Sequence, residues 1–255
     1  MRKMSAKGSV PHLRAADRAM GSKVKNGSRD CKSAGNRNGE TMYKTGEYRT
    51  RIKLCGLSRP CDIEAANELK PDYIGFVFAP RSCRYVMEEK AEALREQLDP
   101  NIAAVGVFVN EHPETIAGML NLGIIDIAQL HGGEDEEYIK RLQVLTHKLI
   151  IKAFRIETED DAMAAENSSA DYVLLDSGSG GTGTVFHWKL IENIRRPYFL
   201  AGGLNVQNAG EAVRKLKPYG VDVSSGIETD GSKDREKMKA FVHAVRSVTG
   251  KEETR

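Results

Sequence analysis

A closed (β/α)8 barrel is the fold this sequence predicts, and three observations predict it. Eight short apolar, β-branched runs alternate strictly with amphipathic segments of about 10–15 residues. The runs are apolar throughout, as parallel strands covered on both faces are. Polar residues and glycines gather at the C-terminal ends of the runs, where barrels of this kind carry their chemistry. Eight repeats in about 200 residues favour closure over an open sheet. An open doubly wound sheet is the alternative, but it needs a GxGxxG phosphate loop after its first strand, and "CGLSRP" does not supply one.

The strands read in order as "RIKLC", "YIGFVF", "AAVGVFV", "IDIAQL", "LIIKAF", "YVLLD", "YFLAG" and "VDVSS". Eight helices are expected to begin near Pro60, Met87, His112, Glu134, Glu157, Trp188, Val206 and Asp234. Pro60 suits a first helical turn, and Ser58 is placed to cap it. Asn205 is placed to cap "VQNAGEAVRKL", in which Gly210 reads as a mid-helix glycine that costs about 1 kcal/mol relative to alanine. No internal repeat is visible beyond the βα period.

Of 255 residues, 40% are hydrophobic, enough for one sizeable core, and no apolar run approaches the length of a membrane span. The formal charge of +2 hides an asymmetry. Residues 1–50 hold 12 Lys/Arg against 4 Asp/Glu, and the remainder 26 against 32. The domain reading is therefore a basic leader, 1–49, and a catalytic barrel, 50–255. The leader lacks hydrophobic periodicity and reads as disordered or as a start assigned too early, with Met42 as the alternative start. A transit peptide is the sharper reading, weakened by Asp17 and Asp30. It has no apolar stretch for secretion and no aromatic residues before Glu40 on which bases could stack, so no nucleic-acid partner is expected. Cys31, Cys55, Cys61 and Cys83 form no CxxC pair and no zinc-spaced cluster. Free thiols, no structural metal and a cytoplasmic location are expected.

The strand ends hold the candidates. Cys55 ends strand 1 and reads either as a small buried hydrophobe or, helped by nearby cations or a helix N-terminus, as a thiolate base. Asp176 ends strand 6 and reads as a loop cap or as a general acid raised by partial burial. Arg84, with Arg81 beside it, is a solvated loop arginine or a bidentate grip for a substrate carboxylate. His131 in "LHGG" is a cavity residue or a packing histidine, with no proton role assigned. Gly202, Gly203, Ser225 and Gly226, after strands 7 and 8, read as tight turns or as a phosphate site built on backbone N–H groups. Cys61, Cys83 and Trp188 read as structural.

Seven ordered motifs then carry a resemblance. "KLCGLSRPCDIEAA", "DYIGFVFAPRSCRYV", "VGVFVN", "AQLHGGE", "LLDS…GGTGTVFHW", "LAGGLN" and "PYGVDVSSGIETDGSKD" together resemble phosphoribosylanthranilate isomerase, from about Ile52 to Val248. The resemblance implies a (β/α)8 barrel that performs an Amadori rearrangement in tryptophan biosynthesis, with no metal or organic cofactor. It implies Cys55 as general base, Asp176 as general acid and Arg84 on the anthranilate carboxylate. The implied substrate-binding set is Arg84, His131, Gly202, Gly203, Asp222, Ser224, Ser225 and Gly226. The implied partner is the small phosphosugar–anthranilate substrate, taken by a monomer or homodimer. Leu57-Ser58 stands where isoleucine-threonine is usual, Cys83 where proline or lysine is common, and Phe186-His187-Trp188 where Phe-Asp-Trp is common. The related isomerases of histidine biosynthesis carry aspartates at strands 1 and 5, which Cys55 disfavours. A phosphosugar-binding barrel without turnover would need the phosphate loops but not the pair Cys55 and Asp176.

Overall fold

The computed structural model describes residues 49–176 and 188–249. Residues 1–48 of the leader, the loop after Asp176 with His187, and the last six residues lie outside them. Eight parallel strands close into a barrel in sequential order. They are β1 (Arg51–Cys55), β2 (Tyr73–Val77), β3 (Ala103–Phe108), β4 (Ile127–Leu130), β5 (Leu149–Arg155), β6 (Tyr172–Asp176), β7 (Tyr198–Ala201) and β8 (Gly220–Val223). The helices between them are α1 (Pro60–Leu69), α2 (Glu88–Arg95), α3 (Pro113–Leu122), α4 (Glu136–Leu145) and α5 (Glu159–Asn167), followed by α6 (Ala209–Leu216) and α7 (Arg235–Thr249). The largest apolar cluster lies between strands and helices; a second fills the barrel with Val105, Ile127, Ile151, Leu174 and Phe199. Inside the barrel, Phe199 fills the space that Gly220 leaves, since a Cβ there would lie 2.6 Å from the ring.

Four local expectations are corrected. The helix expected from Trp188 is a single 3-10 turn, Trp188–Ile191. Only a few residues separate it from Pro197, which cannot continue a helix. Ser58 does not cap α1. Asp62 does the work from inside the first turn, accepting from the N–H groups of Ser58 and Arg59 at 3.0 Å each. Asn205 caps a turn upstream of α6: its Oδ1 accepts from the N–H groups of Gln207 and Asn208, while Asn208 stands at the helix N-cap. Gly210 therefore lies in the first turn rather than in mid-helix.

A hairpin absent from the sequence reading follows β8. β9 (Glu228–Thr229) and β10 (Ser232–Lys233) pair antiparallel. Asp230 and Gly231 between them have φ of +51° and +74°. Two central residues with positive φ make the tight turn that Asp-Gly favours.

A repeat also appears on the N-terminal face. Asp72, Asp126 and Asp171 each precede an even-numbered strand. Each accepts a hydrogen bond from an N–H early in the strand before it, those of Ile52, Ala104 and Ile150, at 2.8–3.0 Å. Three strand pairs are thus tied by the same side chain at the same place.

Candidate active site

Strand alternation decides which side chains enter the barrel. On β1, Cys55 shares the inner face with Lys53. Cys55 packs with Val77, Val107 and Ala79 in a small cluster near the strands' C-terminal ends. Lys53 lies deeper, with 0% exposure, and its Nζ donates to Asp222 Oδ1 at 3.0 Å. Lys53 and Asp222 are register partners across β1 and β8. Gly75 on β2 leaves the room for both: a Cβ there would lie 2.6 Å from Cys55 Sγ and 3.2 Å from Lys53 Nζ.

The electrostatics of this pocket differ from expectation. Burial pushes the Cys55 thiol above its ordinary value, although Lys53 and Lys233 pull it down. Cations are present as expected, but desolvation outweighs them. Burial alone would lower Lys53, yet Asp222 and Cys55 beside it hold its ammonium above the ordinary lysine value.

Gly56, with φ of +80°, turns the chain directly after Cys55. A Cβ at Gly56 would lie 2.5 Å from Arg84 Cδ, so the glycine lets the arginine stem cross the end of β1. The bidentate fork expected for a substrate carboxylate is occupied by the chain's own Glu228. Arg84 Nε donates to Oε1 at 2.6 Å and Nη2 to Oε2 at 2.7 Å. The hydrogen bond to Glu228 raises Arg84 above its ordinary value. Lys233 donates to the same carboxylate at 2.5 Å, and to Ser224 O and Oγ at 3.0 and 3.2 Å. Ser224 Oγ donates in turn to the Cys55 carbonyl at 3.2 Å. Burial would raise Glu228, but Arg84 and Lys233 hold it below the ordinary carboxylate value. The β9–β10 hairpin thus fixes Arg84 and touches the Cys55 strand end.

Asp176 ends β6, half-buried, across the barrel from β1. His131 is exposed: its Nε2 lies 3.6 Å from Asp176 Oδ2, and its Nδ1 lies 3.0 Å from Gln129 Nε2. Beneath the neighbouring loops, Lys152 donates to buried Glu134 at 2.9 Å and to the Gly132 carbonyl at 2.7 Å. Glu134 accepts from the N–H groups of Asn110 and Gly132 at 2.7 and 2.8 Å. This cluster braces the ends of β3, β4 and β5.

Gly202 and Gly203 both adopt left-handed φ, +83° and +65°. Such backbone lets N–H groups converge on an anion. Ser225–Ile227 forms a 3-10 turn directly after β8. Gly226 is pressed against the preceding loop, where a Cβ would lie 2.0 Å from the Leu204 carbonyl oxygen. The two glycine loops therefore lie backbone to backbone. Arg81 is exposed in the loop after β2.

The sequence reading missed Lys53, Glu228 and Lys233. The signal that could have found Lys53 is strand alternation, which puts a residue two before Cys55 on the same face. The Asp-Gly pair signalled the hairpin that carries the other two.

Comparison with known proteins places the chain in a family. Residues 52–244 match the family model described as N-(5'phosphoribosyl)anthranilate (PRA) isomerase. The chain is 45% identical over 202 residues to the N-(5'-phosphoribosyl)anthranilate isomerase of Endomicrobium trichonymphae, covering 78% of this chain and 99% of that protein. It is 44% identical over 214 residues to that of Acetivibrio thermocellus, covering 79% and 98%. Among solved structures, the Thermotoga maritima phosphoribosyl anthranilate isomerase superposes with a TM-score of 0.72 at 36% identity, covering 78% and 99% of the two chains. A phosphoribosyl anthranilate isomerase in complex with reduced 1-(o-carboxyphenylamino)-1-deoxyribulose 5-phosphate gives 0.70 at 35%, with the same coverage. With a closed eight-stranded barrel and a family match over most of its length, the chain belongs to the N-(5'-phosphoribosyl)anthranilate isomerase family.

Proposed function

We propose that Cys55 and Asp176 are the base and acid of the family's reaction, the conversion of N-(5′-phosphoribosyl)anthranilate to 1-(2-carboxyphenylamino)-1-deoxyribulose 5-phosphate. The observation that carries this is the pair of titratable side chains, Cys55 and Asp176, at the ends of β1 and β6, around one mouth that also holds an arginine and two glycine loops. Asp176 gives its proton to the furanose ring oxygen as the C1′–O bond breaks, and the anthranilate nitrogen lone pair forms the C=N bond. The Cys55 thiolate then takes the C2′ proton. The C–H electrons form C1′=C2′, and the C=N electrons return to nitrogen. The resulting enolamine tautomerises to the ketone as C1′ gains a proton. The substrate's own nitrogen is the electron sink. General acid–base groups of this kind contribute about 10²–10⁴-fold each.

Arg84 meets the anthranilate carboxylate through Nη1, the part of the guanidinium outside the fork with Glu228. Gly202, Gly203, Ser225 and Gly226 hold the phosphate, and His131, Asp222 and Ser224 line the space between. The catalytic unit is read as the barrel, 50–255; the family match over residues 52–244 supports this. A cytoplasmic setting fits the free thiols of Cys55, Cys61 and Cys83, and among the described residues no helix is long and apolar enough to cross a membrane.

Substrate carrying deuterium at C2′ tests the proton transfer. Product that has lost the deuterium to solvent, with slowed turnover, is the expected result. Deuterium carried over quantitatively from C2′ to C1′ in the product, as a direct hydride shift would give, would contradict removal of that proton by a base.

A further inference from the structure

Cys55 faces a fixed set of charges. Lys53 lies below it on β1, Asp222 beside it on β8, and Lys233 above it on the hairpin, with Arg84 and Glu228 paired at the rim. Lys233 is shared between Glu228 and Ser224, so its charge is already spent on the hairpin. Lys53 is different. It is wholly buried on the inner face of β1, and its Nζ and Cys55 Sγ converge on the space that Gly75 leaves. A buried ammonium is costly, and one carboxylate at 3.0 Å neutralises it. A lysine whose only task were to fill space could be an apolar residue.

We propose that Lys53 is a positioning residue for the thiol: its ammonium, anchored by Asp222, supplies the counter-charge that the Cys55 thiolate needs inside the barrel. The idea rests on the reading of Cys55 as the base. Ionisation sends the thiol proton to solvent and leaves the thiolate against a charge already in place, so no reorganisation is needed when substrate arrives. Burial still pushes the thiol up; Lys53 limits how far. Asp222 acts in the opposite direction, since it is a like charge beside the thiolate.

The two partners therefore act on the thiol with opposite signs. In a Cys31→Ser, Cys61→Ser, Cys83→Ser background, the thiolate of Cys55 can be titrated by its alkylation rate with iodoacetamide across pH. With Lys53→Met, the midpoint is expected to rise by about one to three units. The kcat/KM at neutral pH is then expected to fall at least about tenfold and to recover as pH rises. With Asp222→Asn, the midpoint is expected to fall, because the thiolate becomes the ammonium's only counter-charge. If Lys53→Met alone does not fold, Lys53→Met with Asp222→Asn removes both charges together. Its midpoint is expected to stay above the parent's, since the lysine acts on the thiol more strongly than the aspartate does. An unchanged midpoint on loss of Lys53, or shifts of the same sign in the two single variants, would overturn the proposal. Alkylation needs no substrate, so this outcome is independent of the base reading, which turnover by Cys55→Ala decides separately.

Discussion

Gly75 and Gly56 show how single positions shape the site. Neither bears chemistry, yet each leaves space that a functional side chain occupies. Gly75→Ala would put a methyl 2.6 Å from Cys55 Sγ and 3.1 Å from its Cα. The thiol would have to move, and misplacement by about 1 Å can cost 10²-fold in rate. A kcat lowered at least about tenfold, in a variant whose far-ultraviolet circular dichroism matches the parent's, is the expected outcome; full activity would show that the thiol position is not critical. If Arg84 grips the substrate carboxylate as proposed, Arg84→Met removes a charged hydrogen bond worth about 1.5–3 kcal/mol. Michaelis–Menten kinetics should then show KM raised about 10–100-fold with kcat less affected; a loss confined to kcat would argue against a grip on the carboxylate. Cys55 and Asp176 were legible in the sequence because polar residues ending apolar strands stand out. Lys53 was not, because one lysine inside "RIKLC" reads as a solvated strand edge unless alternation is followed through to its face.

At the scale of elements, the strands were legible because a parallel barrel strand is apolar on both faces, and "RIKLC" and "YVLLD" match β1 and β6 residue for residue. The short 3-10 turn at Trp188–Ile191 was not, because its composition suits a helix and only the chain length before Pro197 forbids one. The hairpin β9–β10 was read as loop, although Asp230-Gly231 encodes it, because two-residue strands carry no periodicity. The aspartate ties on the N-terminal face also escaped the sequence reading, since each is one residue in an otherwise dissimilar segment. Asp171 accepts from the Ile150 N–H at 2.8 Å. Asp171→Ala leaves that donor without the carboxylate and is expected to cost about 1–3 kcal/mol in urea unfolding. The tie lies at the end of the barrel away from the mouth, so kcat should hold; a fall in kcat with unchanged stability would contradict a purely structural role.

At the scale of the whole molecule, buried charges set the pH window of stability. Burial would raise Glu134, but Lys152 and the Asn110 N–H hold it low, and Glu228 is held low likewise. Their contribution is complete above the unfolded carboxylate pKa of about 4.3 and is lost as pH falls through the lower folded values. Lys53, held high in the fold, has the reverse sign: its contribution is complete below about pH 10.4 and is lost as pH rises through the folded value. Urea midpoints should therefore form a plateau between these limits. Glu134→Gln should lower that plateau and flatten the acid limb, and an acid limb identical to the parent's would show that Glu134 plays no part in it.

The same closed barrel brings the ends of β1 and β6 to one mouth, and the central claim is that they divide one proton relay between them. Its most direct test is to mix freshly made phosphoribosylanthranilate with the protein and follow the loss of its fluorescence, alongside Cys55→Ala and Asp176→Ala. Rapid turnover by the parent, lost by about 10²-fold or more in each variant, is the expected result. Turnover that survives Cys55→Ala would make Cys55 a packing residue and require another base. A folded parent that binds the substrate without converting it would contradict the catalytic reading altogether.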